Sequence, residues 1–170
     1  MMVKSLLLAA LLFTGQKKDA PKEVQAGVIA GSVEAADQTT IKQPLQVVLL
    51  NSEYGMLWTN KLQEQLDAYW ERYKPAFLQK KELFFEVSRM AYQDTLQFVL
   101  ARMNRDLGAD LKNFRLSTTA NGKFEFKGIP FGDYKIVAYG TIAGQVHIWQ
   151  ESTEATSSLP QFLQLKKRVP

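Results

Sequence analysis

The chain has 170 residues, of which 46% are hydrophobic and 22% charged, a balance typical of a globular protein with one well-buried domain or one domain with an elaboration. Its formal net charge is +4, but basic and acidic residues alternate, as in residues 61–72 and 80–89, so no basic stripe marks a nucleic-acid surface. The absence of cysteine excludes disulfide bonds and lipidation on cysteine.

The N-terminus has the pattern of an export signal. Lys4 precedes an almost wholly apolar run, residues 5–13, and polar residues follow. Such a run is too short to span a bilayer, which takes about 20 residues. We expect residues 1–15 to be a signal peptide or short N-terminal anchor and residues 16–25 a linker, the alternative being a buried N-terminal helix. The protein is then exported, periplasmic or associated with the cell envelope, and contacts a membrane only through this segment if it is uncleaved.

Two strands are predicted before the middle of the chain. Residues 27–33 have the composition of a strand interrupted by Gly31, and the polar residues 34–43 are typical of a loop. Pro44 then leads into residues 45–50, which are rich in branched apolar side chains and predict a second strand.

A helical segment follows, because residues 56–107 contain no glycine and a single proline, and their apolar side chains recur at steps of three and four. One stripe consists of Trp58, Leu62, Leu66, Tyr69, Trp70 and Tyr73, a second of Tyr92, Leu96, Val99, Met103 and Leu107, and an adjoining face of Phe77, Phe84, Ala91 and Phe98. The second half is apolar over more than one stripe, so we expect it to be buried from two sides.

This segment must fold back on itself. A continuous helix would span roughly 75 Å, whereas residues 108–113 can bridge only about 20 Å before the next strand. Pro75 is the residue that most disfavours continuation and is favoured at the start of a new helix. We predict an antiparallel pair, residues 56–73 and 76–107, with Gly108 as the stop of the second helix.

Strands return after the helices. Residues 114–118 predict one, and Asn121-Gly122 has the composition of a two-residue hairpin turn, in which both residues take a positive φ. Phe124 and Phe126 then alternate with polar residues, as a half-buried strand requires. Further turns are predicted at residues 128–133 and 140–144, and further strands at residues 134–138, 145–149 and 162–165. About seven strands in all indicate a β-sandwich.

Residues 29–33, 43–49 and 121–134 resemble the carboxypeptidase regulatory-like family, the transthyretin-like or prealbumin-like β-sandwiches that are common in exported bacterial proteins. The resemblance covers residues 26–51 and 114–165. It implies a mainly β fold: a prealbumin-like sandwich of about seven strands, made from residues 26–55 and 112–170, that carries a helical insertion, residues 56–111. It also implies a non-catalytic module that stabilises, displays or docks other parts.

The inventory of reactive side chains argues against an enzyme. Intradiol dioxygenases and hydroxyisourate hydrolases, which resemble this architecture, need several histidines, and the chain has His147 alone. No serine stands in a G-x-S-x-G elbow. Glu82 and Glu86 share a helix face with basic neighbours, which is typical of a solvated surface. We expect no catalytic residues, no cofactor and no metal.

Aromatic residues are the candidates for an interaction surface. They are Trp58, Tyr69, Trp70, Tyr73, Phe84, Phe98 and Phe131. Exposed aromatic side chains mark contact surfaces, although packing between the helices would use the same residues. The predicted function is that of an exported interaction or accessory module of the bacterial envelope that binds a protein partner or itself through the insertion or the sandwich surface. The alternative is a carbohydrate-binding module; no nucleic-acid partner is expected.

Overall fold

The computed structural model describes residues 26–34, 41, 43–142, 144–166 and 169. The predicted signal peptide and linker, residues 1–25, and most of the predicted loop at residues 34–43 lie outside these ranges.

The described residues form two β-sheets and two α-helices, together with one short 3₁₀ helix. The strands are β1 (Ala26–Val33), β2 (Gln46–Asn51), β3 (Arg115–Ser117), β4 (Lys123–Pro130), β5 (Gly132–Ile142), β6 (Gln145–Ala155) and β7 (Gln161–Leu165). The helices are α1 (Ser52–Phe77) and α2 (Leu83–Leu107), and the 3₁₀ helix is Gly108–Asn113. The sequence predicted this order, with strands first, then the two helices, then further strands.

The two sheets contain three and four strands, in the orders β4-β1-β7 and β3-β2-β5-β6. Only β1 and β7 pair in parallel; the other pairs are antiparallel. Their facing sides enclose one core, to which Ile29, Leu49, Phe124, Phe126 and Trp149 belong. The inward alternation predicted for Phe124 and Phe126 is therefore confirmed.

Two glycines that resembled strand breaks lie within strands. β1 runs unbroken through Gly31, where a Cβ atom would lie 2.6 Å from Cζ of Phe124. β5 likewise continues through Gly140, where a Cβ atom would lie 2.5 Å from Cδ2 of Leu45. The predicted turn at residues 140–144 was therefore too long, because Gly140 admits a neighbouring side chain instead of turning the chain.

The Asn121-Gly122 turn was predicted as a two-residue hairpin, and this is wrong. β3 pairs with β2 and β4 pairs with β1, so the turn carries the chain from one sheet to the other. Gly122 has a φ of 73°, as predicted, and its N–H donates to the Thr119 carbonyl over 2.9 Å. The turn predicted at residues 128–133 was too long, because β4 ends at Pro130 and β5 begins at Gly132, and the chain crosses between the sheets at Phe131.

Helix α1 differs from its prediction at both ends. It begins at Ser52, because the side chain of Asn51 caps it by accepting a hydrogen bond from the Tyr54 N–H over 3.1 Å. It also continues through Pro75 to Phe77, so the break lies at residues 78–82. Pro75 has no N–H to donate to a carbonyl of the preceding turn. It lies in the last turn of the helix, two residues before its end at Phe77. Phe77 therefore belongs to α1. The repeat of seven residues that links Phe77, Phe84, Ala91 and Phe98 does not follow one helix, because the loop lies between the first two.

The end of α2 agrees with its prediction. The helix stops at Leu107, and Gly108 follows with a φ of 51° and donates its N–H to the Asn104 carbonyl. A glycine tolerates this left-handed backbone at a helix end without a steric cost.

The helices cover the outer face of the four-stranded sheet only at their sandwich-proximal ends. Tyr54 and Trp58 of α1, and Leu96, Val99 and Met103 of α2, form a second core with the sheet residues Val48, Leu50, Val137 and Ile148. Nη1 of Arg89 lies 3.4 Å from Oε1 of Gln145, the first residue of β6, which places Arg89 level with the end of the sheet. We call residues 66–89 the distal arm; they comprise the second half of α1, the loop and the start of α2.

Candidate functional site

The predicted aromatic residues divide into separate groups instead of one surface. Trp58 is a correction: only 1% of it is exposed, and its Nε1 donates to Oε1 of Gln150 over 3.0 Å. It lies at the base of α1, where the sheet and Tyr92 cover it, with ring centroids of Trp58 and Tyr92 6.4 Å apart. Trp58 is part of the core, so it is excluded from the candidate surface.

The first group, which we call the tip cluster, consists of Trp70, Phe77, Phe84 and Phe85 at the end of the distal arm. Trp70 stacks on Phe77 at a centroid distance of 5.4 Å, and Phe77 meets Phe84 edge-on at 6.1 Å. Phe85 contacts Phe84 edge-on at 5.9 Å. These contacts join the two helices across the loop, because Trp70 and Phe77 belong to α1 and the other two to α2.

The tip cluster is only partly covered. Phe77 is buried, whereas the exposed fractions of its neighbours are 44% for Trp70, 46% for Phe84, 62% for Phe85 and 83% for Leu78 in the loop. A cavity of about 180 Å³ opens beside the cluster and is lined by Leu66, Asp67, Trp70, Phe77, Phe84, Val87 and Ser88. Sequence reasoning missed Leu78 and Phe85, because their exposure depends on where the loop lies.

Basic residues outnumber acidic ones near the tip cluster. Lys74, Lys80 and Lys81 are all exposed, and none of them forms a salt bridge within the described ranges. Glu86 on the same part of α2 is paired with Arg89. Glu82, next to Lys81, is also exposed and without a salt bridge in the described ranges, so residues 74–89 carry four basic and two acidic side chains and a net charge of +2.

The second group, which we call the side face, consists of Lys61, Tyr69, Tyr73 and Phe98. Nζ of Lys61 lies 5.1 Å from the centroid of the Phe98 ring, a cation–π contact between the two helices. Tyr69 and Tyr73 have ring centroids 6.0 Å apart. The Tyr69 hydroxyl donates to the carboxylate of Asp94 on α2. This hydrogen bond, with burial, raises the pKa of Tyr69 above its ordinary value.

Phe98 is the most accessible aromatic residue of the side face, with 43% of its surface exposed, and its neighbour Val99 is buried in the second core. Phe131 belongs to neither group. It is exposed at the corner between β4 and β5 in the sandwich, where its ring lies near Gly27.

A groove between the start of α1 and strands β5 and β6 was not predicted. It has a volume of about 520 Å³ and is lined by Asn51, Ser52, Gly55, Met56, Thr59, Asn60, Asp133, Tyr134, Lys135, Ser152 and Thr153. The Tyr134 hydroxyl donates to the Pro130 carbonyl over 2.8 Å, and burial raises the pKa of Tyr134. The lining has hydroxyls, one carboxylate and one amine but no histidine, so its hydroxyls have no imidazole beside them to act as a general base.

The described residues show neither a metal-ligand cluster nor a membrane-spanning helix. Within the described ranges no group of three or more histidine, aspartate or glutamate side chains could hold a metal ion. In the same part of the chain, neither helix combines the length and the apolar character that crossing a bilayer requires.

Comparison with known proteins gives no family. No protein-family model matches the chain, and no curated protein matches it either. Among solved structures, the pilus backbone RrgB of Streptococcus pneumoniae shares 14% identity with a TM-score of 0.31, over 77% of this chain and 34% of that one. The full-length major pilin RrgB shares 12% with a TM-score of 0.30, over 82% of this chain and 30% of that one. The chain thus spans about a third of these proteins, and scores this low do not bear on its function.

Proposed function

We propose that the chain is an exported, non-catalytic interaction module of a bacterial cell envelope that binds a protein partner through the side face of its helical pair. The observation that carries this proposal is the exposure of Phe98 on a helix that the sheet and α1 hold in place from its other sides. The sandwich then serves as the scaffold and the helices as the contact element.

The chemistry of the side face supports a protein partner. Aromatic residues are enriched in the cores of protein interfaces, where tyrosine supplies contact area with few rotatable bonds. Tyr69 is held in place by Asp94, and Lys61 is held over Phe98, so these side chains would lose little conformational entropy on binding. The rings of Tyr69 and Tyr73 are inclined by 57°, which does not make the flat platform on which a sugar ring stacks. These features favour a protein over the carbohydrate alternative.

The test is site-specific photocrosslinking of the full chain in envelope fractions of the source organism. A photoreactive phenylalanine analogue replaces Phe98 on the side face or, as a matched control, Phe162, which is exposed on β7. We expect one defined crosslinked protein from position 98 and none from position 162. Excess unlabelled chain should compete for this product, whereas excess Phe98→Asp chain should not.

Two outcomes would contradict the proposal. Identical products from positions 98 and 162 would mean that capture is unspecific. Equal competition by the Phe98→Asp chain would mean that the side face does not contribute to binding. Crosslinking to a glycan instead of a protein would favour the carbohydrate-binding alternative.

A further inference from the structure

The tip of the distal arm has a different chemistry from the side face. Its exposed apolar residues are Trp70, Leu78, Phe84 and Phe85, and Leu78 lies in the loop itself with 83% of its surface exposed. Single exposed apolar residues are ordinary in soluble proteins, but a contiguous group marks a contact. The ring contacts among Trp70, Phe77, Phe84 and Phe85 make its aromatic members contiguous, and Leu78 directly follows Phe77 in the chain.

The exposed apolar area at the tip is compatible with a protein partner or with a bilayer surface. At about 200 Å² for an aromatic side chain, the exposed fractions sum to roughly 400 Å² when Leu78 is included. A stable, specific protein interface buries about 800 Å² on each partner. A little over half of such an interface is non-polar, about 450 Å² on each partner, so the exposed apolar area of the tip suits a protein interface as well as shallow insertion into a bilayer surface, which needs no complementary shape.

The charge of the tip favours an anionic bilayer surface, because residues 74–89 contain four basic and two acidic side chains. Lys74, Lys80 and Lys81 are exposed and lack salt bridges within the part of the chain that the structure describes. Lysine is depleted in protein interfaces, but it is attracted to anionic lipid headgroups and accompanies apolar side chains that enter the headgroup region.

We propose that the tip of the distal arm inserts Leu78, Phe84 and Phe85 into the surface of an anionic bilayer, with Lys74, Lys80 and Lys81 at the headgroups. The sandwich does not obstruct this contact, because Arg89 is level with the end of the sheet and α2 extends to Leu83, about 9 Å further at 1.5 Å per residue. Insertion to a depth of about 5–10 Å is typical of such contacts. The contact is separate from the side face and from the N-terminal segment.

The chain contains its own reporter for this contact. It has three tryptophans, of which Trp58 and Trp149 are each 1% exposed, whereas Trp70 lies in the tip cluster. The full chain is mixed with vesicles of equal parts phosphatidylglycerol and phosphatidylethanolamine that carry a small fraction of doxyl-labelled lipid. We expect quenching of the Trp70 fluorescence, which reads insertion of the tip even if residues 1–25 also bind the vesicle.

Variants then assign the quenching to named residues. Leu78→Asp combined with Phe85→Asp should abolish it, and these exposed positions should not affect folding. Leu159→Asp, at a position of the sandwich that is 75% exposed, is the matched control and should leave it unchanged. Lys80→Gln combined with Lys81→Gln should weaken partitioning about 25-fold, at about fivefold for each basic residue near the surface.

Three results would overturn the proposal. One is the absence of Trp70 quenching on anionic vesicles, and another is equal quenching on vesicles of phosphatidylcholine alone. The third is concentration-dependent self-association without vesicles that is lost in the Leu78→Asp, Phe85→Asp variant, because it would identify a second copy of the chain as the occupant of the tip. Each result leaves the side-face crosslinking test unaffected.

Discussion

At the scale of single residues, Gly122 and Gly128 have nearly the same backbone conformation in different surroundings. Their φ angles are 73° and 69°, but a Cβ atom on Gly122 would lie 2.7 Å from the carbonyl oxygen of Val33, whereas a Cβ atom on Gly128 would have no atom within 4 Å. Backbone atoms of a paired strand cannot move aside as a flexible side chain can. The two positions therefore separate backbone strain from steric overlap.

We expect Gly128→Ala to lower the free energy of unfolding by about 1 kcal/mol, the cost of a left-handed conformation for a residue with a Cβ atom. Gly122→Ala should cost about 3 kcal/mol, because the overlap with Val33 is added. Urea denaturation with an unchanged slope would measure both changes. Equal losses would show that the contact between Gly122 and Val33 is not tight.

The same residues show how far sequence reasoning extends at this scale. The positive φ of Gly122 and the inward positions of Phe124 and Phe126 were predicted, because both depend on local patterns. Gly31 and Gly140 were interpreted as breaks, since composition does not distinguish a turn from a close approach to Phe124 or Leu45. Likewise, the helical stripe joined Trp58 to Trp70, although one is buried and the other exposed.

At the scale of elements, the hydrogen bond from Tyr69 to Asp94 joins α1 to α2. This hydrogen bond raises the pKa of Tyr69 above the ordinary value of 10.0. It therefore stabilises the folded state as long as the phenol is protonated. Tyr69→Phe should lower the free energy of unfolding by about 1 kcal/mol at pH 7. Because the pKa of Tyr69 is raised in the folded state, the stability difference between the wild type and Tyr69→Phe has its full size below pH 10. It shrinks as the pH rises through the raised pKa.

Unfolding of the wild type and the variant at pH 7, 9 and 11 would measure the difference. Tyr73→Phe is the matched control, because Tyr73 lies on the same side face and its hydroxyl has no hydrogen-bond partner within the described ranges. It should change stability by only a few tenths of a kcal/mol. If the difference in free energy of unfolding between the wild type and Tyr69→Phe stays constant to pH 11, ionisation of this phenol does not affect folding.

The helical pair was predicted, but its break was misplaced by several residues. Residues 78–82 contain neither glycine nor proline, and all of them are compatible with a helix, so local composition favoured Pro75 as the break. The contacts of Phe77 with Trp70 and Phe84 instead hold α1 in its helical form past the proline. The contact between Phe77 and Phe84 joins different helices and cannot be read from spacing along one of them.

At the scale of the whole molecule, the sequence patterns predicted two groups of strands around a helical insertion, and the structure has this order. They did not predict which strands are neighbours: the Asn121-Gly122 turn favoured pairing of β3 with β4, but these strands lie in different sheets. Pairing in a sandwich depends on residues far apart in the chain. The second helix was expected to be buried from two sides, and at its sandwich-proximal end the sheet and α1 do cover it.

The helical pair therefore has two parts with different effects on stability. Replacing the distal arm, residues 66–89, with a short Gly/Ser loop retains Trp58, Leu96, Val99 and Met103 over the outer face of the sheet. We expect this variant to melt cooperatively, without exposing new apolar surface to a dye such as ANS. Circular dichroism should show fewer helical residues and an unchanged β contribution.

Replacing all of residues 56–107 should have the opposite result. It uncovers Val48, Leu50, Val137 and Ile148, which are at most 2% exposed. At about 1.5–3 kcal/mol for each buried side chain, the loss is roughly 6–12 kcal/mol, comparable to the whole stability of a typical domain. This variant should bind ANS and lose its cooperative melt. A cooperative melt of this variant equal to that of the distal truncation would mean that the sandwich is stable without its helical cover, and that the whole pair is available for contact with partners.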